Sequence, residues 1–172
     1  MLSIALDFLD AEGVEAFTMR ALAERIGVNA MTIYHHFGDR DGLIEAMADH
    51  AYSSVCAPSA ETSLDRIVAL MLTYHAQVLR HPGLTLLIFS RPVVLPKQAQ
   101  RITDDLSQLL IDTGMASQKS RLWVDILVDF THGAAVATAI RGRPELEITE
   151  TGSSDAYAAA LMELMNGLKG RL

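Results

Sequence analysis

Apolar residues recur every three to four positions along almost the whole chain. Nowhere do β-branched residues alternate with polar ones long enough to make a strand, so the pattern predicts an all-α fold. The first helix is expected from about Ser3 to Ala11, with Ile4 and Phe8 turned inward, and Gly13 supplies a left-handed stop. Thr18 then caps Met19–Ile26, where Leu22, Ala23 and Ile26 share one face and Gly27 closes the segment. Asn29 caps a second short helix, Ala30 to about His35, after only Gly27 and Val28. A glycine-centred turn of that length makes two short helices cross steeply, which is helix-turn-helix spacing. A fourth helix opens at Asp39 or Arg40, turns Leu43, Ile44, Met47 and Ala48 inward and runs into Ser53-Ser54; Ala57-Pro58-Ser59-Ala60 reads as a linker.

Beyond the linker, Leu64, Ile67, Val68, Met71, Tyr74, His75 and Val78 form a broad stripe ending at His81-Pro82-Gly83. Leu84–Ser90 is almost wholly apolar and Arg91-Pro92 breaks it. Lys97–Thr113 carries Ile102, Leu106, Leu109 and Leu110 on one side. Ser120–Ile140 is apolar on more than one face, with Trp123, Ile126, Leu127, Phe130 and the small run Gly133-Ala134-Ala135; the last helix, Ser154–Lys169, offers Tyr157, Leu161, Leu164, Met165 and Leu168. The predicted architecture is an N-terminal helix-turn-helix domain over residues 1–50 and a C-terminal helical bundle over residues 51–172.

Composition narrows the function classes. The chain has 172 residues, a net charge of −7 and 50% apolar residues, which excludes intrinsic disorder and suits a packed core. No run reaches the roughly 18 to 20 uncharged apolar residues of a membrane span, and Met1–Asp10 lacks the positive flank of a secretory signal, so a cytoplasmic protein with no membrane partner is expected. Cys56, the single cysteine, reads as a small buried hydrophobe rather than a nucleophile. His35 and His36 are neighbours, about 100° apart on a helix, and do not converge on a metal as an i, i+4 pair does. No glycine-rich phosphate loop, metal-ligand spacing or serine elbow is present, so neither an enzyme nor a cofactor is expected.

The stretch from Thr18 to Arg40 closely resembles the TetR/AcrR family of bacterial transcriptional regulators. The resemblance rests on Leu22-Ala23, Gly27-Val28, Thr32 two before Tyr34, His36-Phe37 and a basic residue, Arg40, opening the next helix. About forty residues carry it. Leu87–Pro92 and Asp112-Thr113-Gly114-Met115 look more like the tetracycline-repressor branch than the family average. Where that branch places histidines for its drug and metal, this sequence reads Cys56 and Leu87, so a magnesium–tetracycline site does not carry over.

A recognition helix brings its positive end and short polar residues to base edges and phosphates, and Asn29, Ala30 and Thr32 occupy that first turn. Thr18 can meet the DNA backbone, and the Arg20 guanidinium can read a guanine bidentately. The resemblance further implies Tyr34 and His36 as phosphate ligands, His35 on a base or sugar, and Arg40 in place of the family's usual lysine. Ile33 and Phe37 are expected in the core. Residues 1–50 hold only three basic side chains, Arg20, Arg25 and Arg40, against nine acids, a balance of −6. Duplex binding should therefore use few phosphate contacts and show a shallow salt dependence.

For the C-terminal part the family implies a small, mostly apolar effector, a two-fold dimer and a palindromic operator, with the effector releasing a repressor. Met71, Tyr74, His75, Val78, Phe89, Trp123, Leu127 and Phe130 are the effector-binding candidates, although such a stripe first of all fills a bundle core. His75 and His132 likewise read first as hydrogen-bonded core histidines. Ile126, Ala134, Ala137, Tyr157, Leu161, Leu164, Met165 and Leu168 are the dimer-interface candidates. The competing function is a helical protein-interaction module that keeps the fold without binding DNA, which the acidic first fifty residues allow.

Overall fold

A computed structural model describes residues 1–91, 96–141 and 153–169. They form α1 (Leu2–Ala16), α2 (Met19–Ile26), α3 (Ala30–Phe37), α4 (Arg40–Ala51), α5 (Ser63–Arg80), α6 (Pro82–Phe89), α7 (Lys97–Asp112), α8 (Ser117–Arg141) and α9 (Ser153–Lys169), and no strand occurs among the described residues. Pro92, expected to break the sixth helix, lies outside them. The chain folds as two units, Met1–Ser54 with His81–Gln100, and Val55–Arg80 with Arg101–Leu172. A division at residue 50 therefore misses the return of α6 and the start of α7 to the first unit.

Local chemistry explains the short helices of the first unit. Thr18 Oγ1 accepts from the Ala21 amide at 3.2 Å, Asn29 Oδ1 from Met31 at 2.9 Å and Asp39 Oδ1 from Gly42 at 2.8 Å. Each satisfies an amide that the start of a helix leaves without a partner. Gly27 ends α2 at φ +79°, with its own N–H and that of Val28 both donating to the Ala23 carbonyl. Inside, Phe8 meets Phe17 at 6.0 Å between ring centres, and Leu22, Ile33, Leu43, Ile44 and Met47 are fully buried. Ile4 is exposed rather than inward, and Ala5, Leu6 and Leu9 are buried in its stead. α1 continues past the expected stop, but Gly13 (φ +80°, ψ 174°) still breaks its helical geometry.

Segment 81–100 is tied to α1 and α4 by polar contacts. His81 Nδ1 lies 2.6 Å from Asp10 Oδ2, Arg91 pairs with Asp41 at 2.6 Å, and the Gln98 amide donates to Asp49 at 2.8 Å. Gly83 lets α6 close on α1, since a Cβ there would sit 3.2 Å from the Leu9 side chain.

In the second unit α5 packs on α8 and α9. Ile67, Leu70, Met71, Val78, Leu106, Leu110, Leu127, Leu161 and Leu168 are wholly buried. A cluster of uncharged polar groups sits among them. Tyr74 Oη and His132 Nε2 are 2.6 Å apart; Thr131 Oγ1 donates to the Leu127 carbonyl at 2.7 Å and lies 2.8 Å from Tyr157 Oη. The His75 ring stacks on Tyr157 at 3.7 Å between centres and 3° between planes. Burial lowers the His75 imidazole, pulls His132 down to about 4 and pushes the Tyr157 phenol up to about 12. Cys56 is exposed, contrary to the buried role expected of it.

Two outcomes follow for stability. In the unfolded chain an imidazole takes up its proton near 6.5, whereas His132 in the fold resists until about 4. The unfolded state binds the extra proton across that window, so stability is complete above pH 6.5 and falls as pH drops toward 4, by on the order of 3 kcal/mol. Urea midpoints at pH 7.5 and 4.5 should show this loss, and His132→Gln should flatten it, leaving only the part due to His75. Separately, a Cβ on Gly42 would overlap the Phe37 carbonyl oxygen, which is fixed backbone. Gly42→Ala should therefore cost about 2 kcal/mol in the same assay.

Candidate nucleic-acid interface

Within the first unit, the exposed face of α3 follows from its buried anchor. Ile33 is its only fully buried residue. With about 100° of rotation per residue, burying Ile33 places Met31 and His35 on the opposite side, Tyr34 and Thr32 on the flanks and Ala30 and Phe37 near the core. Exposure follows that order except at His36, which is exposed although it lies only about 60° from Ile33. Met31, Tyr34, His35 and His36 are exposed, and Ala30, Thr32 and Phe37 are half-buried. The His35 and His36 rings stand edge to face at 5.8 Å.

On α2 and its cap, Arg20 and Thr18 are exposed, and Arg40 at the start of α4 is half-buried. The oxygens of Thr18 and Asn29 serve as helix caps, so part of their hydrogen-bonding capacity is already used. No side chain of α3 is Lys, Arg, Asn, Gln, Asp or Glu. Positive charge on this surface comes from Arg20, Arg25 and Arg40, with the α3 amino end adding its dipole. The sequence reading selected Asn29, Ala30 and Thr32 in the first turn and passed over Met31, the most exposed residue of the helix's large apolar set at 69%. The signal was available in the spacing, because an inward Ile33 requires an outward Met31.

The effector candidates separate into three groups. Met71, Tyr74, His75, Val78 and Leu127 are buried in the core of the second unit. Trp123 and Phe130 are half-buried and line a groove of about 690 Å³ between α8 and α9, together with Ala160, Glu163, Leu164 and Gly167. Phe89 belongs to the first unit and is 57% exposed.

The dimer candidates also divide. Tyr157, Leu161, Met165 and Leu168 are buried within their own chain, where they pack the α9 side of the core, and are not surface residues. Ile126 and Ala137 are exposed, and Ala134 and Leu164 are half-buried. Leu122 at 58% and Met162 at 45% extend the apolar exposure on α8 and α9 and were not selected from the sequence.

Residues 2–47 match the family described as bacterial regulatory proteins, tetR family. An HTH-type transcriptional regulator of Saccharopolyspora erythraea is 30% identical over 103 residues, 59% of this chain and 44% of that protein. The chain spans under half the length of the curated relatives it matches first. Among solved structures, a possible TetR family transcriptional regulator from Streptomyces coelicolor A3(2) superposes with a TM-score of 0.85 at 21% identity, covering 99% of this chain and 98% of that one. The structure of BioQ with its double-stranded DNA operator gives 0.73 at 19% identity, covering 95% and 94%. These two likenesses show the fold of the described residues, and the family match is confined to the N-terminal segment. The segment that carries Arg20 and α3, residues 2–47, is thus similar to the tetR family of bacterial regulatory proteins.

Proposed function

We propose that the chain is a cytoplasmic, DNA-binding transcriptional repressor that acts as a homodimer on a palindromic operator and is released by a small, mostly apolar effector. The observation that carries the reading is the α3 surface: an Asn29-capped amino end, an outward Met31–Tyr34–His35 face and the neighbouring Arg20, all inside the matched domain. A helix presented in this way fits the major groove, and the operator complex among the structural neighbours supports that use. Its chemistry is non-covalent throughout. Effector binding shifts the population between dimer geometries that do and do not fit successive grooves.

The second unit supports the other two parts of the reading. Its buried polar groups are His75, Ser120, Thr131 and His132, with Tyr74 and Tyr157 beside them, and none carries a charge near neutral pH. An uncharged effector suits that interior. His75 is 4% exposed and its Nε2 has no hydrogen-bond partner among the described residues, so it is the natural anchor. α8 is long and apolar enough by composition to cross a membrane, yet Asp125 and Asp129 lie within it and its exposed apolar side chains join those of α9. A second copy packing on Leu122, Ile126, Ala137 and Met162 accounts for that exposure.

Titrating the full chain against the DNA upstream of its own gene tests the reading by footprinting and anisotropy. Protection of a two-fold sequence is expected, with affinity falling about tenfold or more in Arg20→Ala and about threefold in Tyr34→Phe. The salt slope should be shallower than about −7, the value for eight phosphate contacts. Absence of protection at low salt, with both variants behaving as the parent, would favour the protein-interaction module. In sedimentation, Ile126→Glu with Leu122→Glu should convert a dimer to a monomer at micromolar concentration, and a parent chain that is already monomeric would overturn the dimer.

A further inference from the structure

We propose that Met31 is a specificity-determining residue that reads the 5-methyl group of thymine in the major groove. The inference rests on the DNA-binding function proposed above and names what its central residue recognises. Met31 is 69% exposed, more than any other large apolar side chain among the described residues. Water disfavours such exposure, and nothing in the local fold requires a methionine there, since the inward contacts of α3 are made by Ile33.

A protein-docking patch does not explain it. Around Met31 the exposed side chains are Asn29, Tyr34 and His35, all with hydrogen-bonding groups. One thioether in a polar surround suits a target that is itself polar with isolated apolar points. The floor of the major groove is such a target, and the thymine methyl is its apolar point. Methionine is unbranched and polarisable, so it can follow a methyl group without demanding one rigid approach.

The composition of α3 strengthens the assignment. Bidentate readout of guanine or adenine needs Arg, Lys, Asn or Gln, and Ala30–Phe37 contains none of these. What the helix itself can offer base edges is single hydrogen bonds, as from Thr32 and His35, and apolar contact, from Met31 at the centre of its outward face. The backbone of Met31 is also held in place, because its amide donates to Asn29 Oδ1 at 2.9 Å. The side chain therefore projects from a fixed point one residue inside the helix start, the end that a recognition helix brings to the bases.

The test uses the full chain and a 30-base-pair duplex that it selects from a random pool. The selected duplex is synthesised once with thymidine and once with deoxyuridine, which differs only by that methyl group. The parent should bind the uracil form about fivefold more weakly; Met31→Ala should bind both forms equally, and Met31→Leu should restore the preference. Equal binding of the two forms by the parent, or a thymine preference that persists in Met31→Ala, overturns the assignment while leaving DNA binding intact. Failure to retain any duplex from the pool overturns the DNA-binding function as well, so the two failures are distinguishable.

Discussion

A single buried side chain orients the outward face of α3. α3 has eight residues, too few to stand alone in water, and Ile33 is the one that it buries completely. Because the helix can rotate only as a rigid cylinder, that anchor decides at once that Met31 and His35 face outward and that Ala30 and Phe37 do not. The glycines at positions 27 and 38, both near φ +79°, terminate α2 and α3 without strain, and the caps at Asn29 and Asp39 restart the helix each time. Four local devices and one apolar anchor thus define a small, stiff element whose outward face can be spent entirely on recognition.

The second unit solves a different problem. Its interior is dense with tyrosine, histidine and threonine, which are costly to bury unless they satisfy one another. Tyr74 with His132, and Tyr157 with Thr131, do so in pairs, and the stack of Phe130 on Tyr157 and Tyr157 on His75 continues from the groove wall into the core. α9 serves two faces: Tyr157, Leu161, Met165 and Leu168 close the core, while Leu164 lines the groove and Met162 is exposed. The polar contacts inside this half are made by hydrogen bonds between uncharged side chains.

Much of the fold was legible because its signals are local. The caps at Thr18, Asn29 and Asp39 stand one residue before the helices they open, and the apolar stripe of α5 is visible as a period. Resemblance and spacing both direct attention to Arg20 and Tyr34, and both side chains are exposed. The exposure of Met31 is harder to read from sequence, because hydrogen-bonding residue types single out Asn29 and Thr32, whose side chains are engaged in capping or half-buried. On α9, periodicity identified an apolar face but could not tell whether its own chain or another covers it. Tyr157 and Leu161 turned out to face inward. The contacts Asp10–His81, Asp41–Arg91 and Asp49–Gln98 join residues roughly fifty to seventy positions apart, and no local pattern announces such a pairing.

The placement of residues 81–100 with Met1–Ser54 has a consequence for engineering. An N-terminal unit of this kind invites transplantation, with one cut away and another spliced on at the linker. Here a cut at residue 54 would strand α6, leaving Asp10, Asp41 and Asp49 without their partners and the Leu9 surface bare. A functional chimaera would have to exchange two separate stretches of chain together, so the first unit is inherited as a discontinuous cassette.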